Sequence, residues 1–188
     1  MDLSPGVGPP VLETARLTLR PPRGEDFEEW AAFAADPAAM RFLGGPQPRA
    51  VAWRSFLSMA GAWVIQGFAP FSVIEKATGR WIGRVGPWRP DGWPGNEIGW
   101  ALVTAAQGRG LACEAAIATI DWALATLGWQ EFIHCIDDGN TASVALARRL
   151  GSELRGRTQL PPPTAAELEV WGQSRAAWLA RPAGTAAG

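Results

Sequence analysis

The 188 residues contain no tyrosine, one histidine (His134), one lysine (Lys76) and two cysteines. Each shortage removes a class of chemistry. Without tyrosine there is no phenolic proton donor for an active site. Cys113 and Cys135 lack CxxC spacing, and no histidine stands where it would complete a zinc set with them, so a disulfide framework and a structural metal site are both unexpected. Both read as small buried hydrophobes. No apolar run reaches the roughly 20 residues needed to span a bilayer. The opening "MDLSPGVGPPVLE" lacks the basic start and apolar core of a secretory signal, so a cytoplasmic protein without a membrane partner is expected. Nor is there an excess of one charge: 17 basic residues meet 18 acidic ones, giving −1. That balance offers nothing general to nucleic acid, and any anion site must be local.

What is abundant is tryptophan, with 11 residues, and glycine, with 22. The length and the 47% hydrophobic content suit one domain over 1–188, with a core over about 11–179 and a flexible tail at 180–188. "ETARLTLRPP" alternates Ala15, Leu17 and Leu19 with polar partners and reads as a half-buried strand. "EDFEEWAAFAADP" predicts a helix stopped by Asp36-Pro37. A second amphipathic helix is predicted over 49–66 from the spacing of Ala50, Trp53, Phe56, Leu57, Ala60, Trp63 and Val64. "KATGR" separates Phe71–Glu75 from Trp81–Val85 as a hairpin turn. "NEIGWALV" is a strand, Leu111 to Gly128 a helix, and "QEFIHCID" a further strand. Together these three form a βαβ unit with neighbouring parallel strands. "DDGNTASVALARRLG" follows as a helix capped by Asn140 and stopped by Gly151. "SELRGR" and "AELEVWGQSR" are closing strands, separated by the proline-rich loop "TQLPPPTA".

Two glycines, Gly108 and Gly110, stand where strand 96–103 enters the helix at Leu111. A helix begins with unpartnered N–H groups and a partial positive charge, and glycines let an anion approach those amides without Cβ clashes. Arg109 between them would add a cation at the rim. The competing explanation is a tight turn that requires positive φ. There is no GK[ST] of a P-loop and no GxGxxG of a dinucleotide fold, which leaves a nucleotide- or phosphate-binding protein of another class resting on the glycines only. The pattern present is Q/R-x-x-G-x-G/A, as Gln107-Gly108-Arg109-Gly110-Leu111-Ala112.

With that pattern the chain resembles the GNAT N-acyltransferase superfamily, in its branch of ribosomal-protein N-acetyltransferases and related small-molecule enzymes. "LETARLTLRP" with "EDFEEW", "EIGWALVTAAQGRGLACEA" and "DDGNTASVALARRLG" stand in that branch's order, covering about residues 11–179. The resemblance implies an α/β (α+β mixed) fold, with a twisted mixed sheet, splayed central parallel strands and helices on both faces. It implies acetyl-CoA as cosubstrate, its pyrophosphate on the amides of residues 108–112 and its pantetheine along Leu102 and Val103. Gln107 belongs to the same motif, Asn140 would bond near the pantetheine, and Ser143 lies one turn away on the same side. The family's frequent "GF" after the last helix is Gly151-Ser152 here.

Acetyl transfer to a primary amine requires a base within reach of the amine and a proton path for the leaving thiolate. Glu97 is the candidate base, on a strand face with Gly99, Ala101 and Val103; the alternative is a solvated strand end. Ser143 is the candidate proton donor, or else a serine bonding backbone at a helix start. His134, inside a strand, reads as a hydrogen-bonded core residue. Trp88 and Trp93 in "GPWRPDGWPGN" are placed to border the acceptor site. The acceptor is a protein N-terminus or a small-molecule amine. A non-catalytic acyl-CoA-binding module is the alternative to the enzyme. A homodimer is compatible with the closing strand and the surplus tryptophans.

Overall fold

The computed structural model describes residues 10–162 and 166–181, so the predicted tail beyond Arg181 and the middle of the proline-rich loop lie outside the described residues. Eight strands form one sheet: β1 (Leu12–Glu13), β2 (Leu17–Arg20), β3 (Phe71–Glu75), β4 (Trp81–Trp88), β5 (Glu97–Leu102), β6 (Glu131–Ile136), β7 (Glu153–Gln159) and β8 (Glu167–Ser174). Among the described residues five α-helices accompany them: α1 (Phe27–Ala35), α2 (Arg49–Ile65), α3 (Leu111–Thr126), α4 (Thr141–Arg149) and α5 (Arg175–Ala180). Strand order is β1-β2-β3-β4-β5-β6-β8-β7. Every neighbouring pair is antiparallel except β5 and β6, which are parallel and joined through α3 as a βαβ unit.

Leu17, Leu19, Phe71, Val73, Val85 and Ile98 turn one sheet face onto α3, where Leu111, Ala115 and Ile120 meet them. Burying each large side chain of this kind stabilises the fold by roughly 1.5–3 kcal/mol. Trp30, Phe33, Phe56, Met59, Trp81 and Ala101 form the second core, between the opposite face and α1 and α2. Helix α4 rests on β6 and β8 through Ala147, Ile136 and Trp171.

Several expectations change on folding. "ETARLTLRPP" is two strands rather than one, because Thr14 Oγ1 accepts from Leu17 N–H and Glu114 accepts from Arg16 N–H, which holds a turn and leaves Ala15 exposed. Helix α2 buries Ala52, Phe56, Met59 and Ala62, whereas Trp53 (43%) and Val64 (74%) of the predicted apolar stripe stay exposed. Small alanines let α2 approach its neighbours, and the periodicity alone does not choose between adjacent faces. β7 continues through Thr158 and Gln159, residues expected in the loop. β8 lies between β6 and β7, so the strand expected to support a dimer is interior and the sheet ends in β1 and β7. Helix α5, unforeseen, buries Trp178 against Phe132.

Candidate active site

The parallel pair β5–β6 is in register only at Glu97 and Ile133, after which the strands diverge. Val103 N–H donates to Ile82 O at 2.9 Å, so odd-numbered residues of β5 point their backbone groups at β4. Even-numbered ones face β6, since successive residues of a strand alternate. At the narrow end of the opening these groups are satisfied by side chains. His134 Nδ1 bonds Ile98 O at 2.6 Å, and a Glu97 carboxylate oxygen accepts from Cys135 N–H at 3.4 Å. The indole of Trp100 lies beside the imidazole, with ring centroids 4.6 Å apart. Side chains from both strands thus hold apart what a regular ladder would close.

At the wide end lies a cleft of about 460 Å³, lined among others by Trp100, Leu102, Gly108, Gly110, Asn140 and Ser143. Gly108 and Gly110 have φ of +71° and +74°. The positive-φ explanation therefore holds. A Cβ at Gly108 would meet nothing within 4 Å, so the turn is also open above its backbone. No side chain caps the start of α3, and the N–H groups of residues 108–112 have no acceptor among the described residues. Orphan amides beside a cleft, with the helix dipole behind them, are chemically suited to an anion.

Arg109 does not add its charge to that site. Its guanidinium is bound by Glu75 at the end of β3, which ties the glycine turn to the sheet instead of placing a cation at the rim. Gln107 Nε2 donates to Leu102 O at 3.0 Å and braces the strand end. Val103 is also engaged internally, because its N–H goes to Ile82 O and its C=O accepts from Ala106 N–H at 2.9 Å. The β5 edge that faces the opening is therefore Trp100 and Leu102. Leu111 is buried under the turn, and Ala112 lines the cleft.

Across the opening, Asn140 Oδ1 accepts from Ser143 N–H at 3.2 Å, the expected cap. Ser143 Oγ accepts from Trp100 Nε1–H at 3.1 Å and is not used on backbone as the alternative had it. Its own proton remains available to a third group.

Glu97 is not a solvated strand end: it is 8% exposed. Its carboxylate accepts from Trp93 Nε1–H. Burial raises the carboxyl to about 7, against the opposing pull of the Trp93 and Cys135 bonds and the Arg84 charge. A carboxyl balanced at that point exchanges protons near neutrality. Trp88 ends β4 opposite Glu97, while Trp93 is the residue that holds the carboxylate.

His134 is the core histidine expected. Burial pushes its imidazole down to about 4, so the ring is neutral at pH 7. Ile98 O can only accept, so Nδ1 carries the proton and Nε2 accepts from the Ser152 hydroxyl at 3.1 Å. Gln173 Nε2 in turn donates to Ser152 Oγ at 3.3 Å. The serine that stands where the family pattern has phenylalanine is thus part of a buried relay.

Two features of the site were not read from sequence. Thr14, Arg16 and Glu114 form a clasp in which Arg16 also donates to Arg109 O at 2.9 Å, fastening the β1–β2 turn to the glycine turn. An acidic residue in the first turn of α3 was visible, but its partner lies 98 residues upstream. Arg84, on β4, is the second.

The family model described as "Acetyltransferase (GNAT) domain" matches residues 16–153. An uncharacterized N-acetyltransferase, p20, of Bacillus licheniformis is 30% identical over 149 residues, 78% of this chain and 84% of that protein. The crystal structure of an acetyltransferase from Agrobacterium tumefaciens superposes with a TM-score of 0.78 at 31% identity, covering 93% of this chain and all of that one. RimJ of Mycobacterium smegmatis, solved with CoA-disulfide, shares the fold at TM-score 0.71 and 18% identity over 95% of this chain and 92% of that one. The chain belongs to the GNAT acetyltransferase family. It is an acetyl-CoA-dependent N-acetyltransferase.

Proposed function

We propose that the chain acetylates a primary amine, of a small molecule or a protein N-terminus, by direct attack of the amine within a ternary complex. The observation that carries this reading is the run of uncapped amides at residues 108–112, opening into the cleft at the wide end of the β5–β6 split. Acetyl-CoA supplies an activated thioester carbonyl and a pyrophosphate. The residues present suit both: the glycine turn is open and cationic in its dipole, and the backbone of Trp100 and Leu102 faces the opening.

Glu97 is the base in this reading. Held by Trp93 in a dry site, it takes the proton from an incoming ammonium and leaves the neutral amine that attacks. Ser143, with its oxygen fixed by Trp100 N–H, is oriented to give a hydrogen bond or proton to the departing sulfur. Asn140 caps α4 and holds Ser143 in place.

Release of free CoA with a panel of amines and N-terminal peptides tests the reading. Steady turnover is expected, falling at least about 100-fold in Glu97→Gln and about tenfold in Ser143→Ala. Turnover unchanged in both variants would remove these residues from the chemistry.

A further inference from the structure

Arg84 lies on β4 opposite Ala101, on the sheet face that carries Glu97 and Gly99. Its Nε is fully buried without a hydrogen-bond partner, and no carboxylate among the described residues comes within ion-pair distance. The buried carboxylates nearby are already committed. Asp26 is bound by both terminal nitrogens of Arg20 at 2.7 and 2.8 Å, and Glu97 bonds Trp93 and Cys135. What Arg84 does touch is the face of Trp30, with Cζ 5.5 Å from the ring centroid. An arginine stays charged in such a place, and although the Glu97 charge acts on it through space, no hydrogen bond joins the two.

The space beside it has a definite shape. Gly99 pairs with Gly86 across β4 and β5 and raises no side chain between Arg84 and Glu97, while a Cβ at Gly86 would point to Phe71 and Thr119 on the α3 side. The Glu97 carboxylate leans over Gly99, with Oε1 3.5 Å from where a Cβ would stand. Arg84 is the diagonal neighbour of Gly99, a separation of about 7–8 Å between backbones. A guanidinium and a carboxylate therefore approach one glycine floor from two sides, and Ala101, beside Arg84, opens onto the cleft.

We propose that Arg84 binds the carboxylate of the acceptor, so that the amine acetylated is that of a small amino carboxylate such as a free amino acid. The guanidinium offers paired N–H donors that match a carboxylate, and the same contact sets the amine at Glu97. The inference rests on the acetyl-transfer reading above and narrows its acceptor.

The test compares amino acids with their decarboxylated amines and their amides as acceptors, in wild type, Arg84→Gln and Arg84→Lys. Circular dichroism establishes that the variants fold. Wild type is expected to favour the carboxylate-bearing member at least tenfold in kcat/KM. Arg84→Gln should lose that preference through KM, with the amino acids falling at least about tenfold further than the amines, and Arg84→Lys should restore part of it. Equal loss for every acceptor, with a pH profile moved upward, would show Arg84 acting only through the charge of Glu97 and would overturn the proposal. So would a wild-type preference for uncharged amines. Equilibrium binding followed by tryptophan fluorescence separates the two readings if no acceptor turns over. Amino acids binding tighter than their amides, with the difference lost in Arg84→Gln, supports the site while acetyl transfer fails. The absence of such a difference overturns the site. If Arg84→Gln does not fold, the wild-type preference and Arg84→Lys decide.

Discussion

The two ends of the gap between β5 and β6 are built in opposite ways. At the wide end, around residues 108–112, backbone N–H groups are left without partners among the described residues and the flanking residues are small. At the narrow end the diverging backbone is bonded by side chains: His134 on Ile98 O, and Glu97 on Cys135 N–H. An anion-binding end has to keep its donors free, because a donor already bonded has little left to offer a ligand. An end that holds a carboxyl near neutrality has to be dry and fully determined, because water would return it to its ordinary value. One split in the sheet serves both needs by being open on one side and closed on the other.

Substitutions at the two ends should therefore separate chemistry from binding. The largest effect is expected for Glu97→Gln, which keeps the shape and an acceptor for one of the two N–H groups but removes the carboxyl proposed as base. We expect kcat to fall at least about 100-fold, while calorimetry finds the acetyl-CoA dissociation constant within threefold of wild type. A comparable loss of affinity would break the division. Gly110→Val should do the reverse. It forces a β-branched residue into a left-handed conformation costing about 1–2 kcal/mol and crowds the anion site, so acetyl-CoA should bind at least about tenfold more weakly while kcat at saturation changes little.

How far the sequence alone reached follows the same division. The wide end was legible, since glycines at a strand-to-helix junction and an asparagine before a helix are local signals read over a few residues. The rim charge assigned to Arg109 was not, because Glu75, its partner, lies 34 positions away. The parallel pair and its splay were legible as a βαβ unit and a family resemblance. What keeps the strands apart was hidden, since it depends on His134 reaching Ile98 and Ser152 reaching His134 across the fold. Glu97 was picked out for its position, and its burial became visible only once Trp93 folded over it. Arg84 carried no signal at all: in "WIGRVGPW" it looks like any polar residue of an alternating strand.

Smaller effects sharpen the comparison at the narrow end. Glu97 must be ionised to act as base, so kcat/KM should rise with pH through about 7, where burial holds its carboxyl. The Trp93 bond favours the ionised form. Trp93→Phe should therefore move the midpoint of the pH profile upward, by roughly half to one unit, without altering acetyl-CoA affinity. Ser152→Ala leaves His134 Nε2 without its donor in a buried place. A loss of about 1–3 kcal/mol is expected in denaturant unfolding, with kcat unchanged, and a fall in kcat without a fall in stability would give the histidine relay a part in the reaction.

The central claim is that free peptide N–H groups hold the pyrophosphate, and the backbone amide resonances of Gly108 to Ala112 report on it directly. Titration with acetyl-CoA, followed by heteronuclear NMR, should move these resonances downfield, while an acetyl-pantetheine thioester, which lacks the pyrophosphate, should leave them nearly in place. Saturating acetyl-CoA with all five amides unmoved would contradict the account.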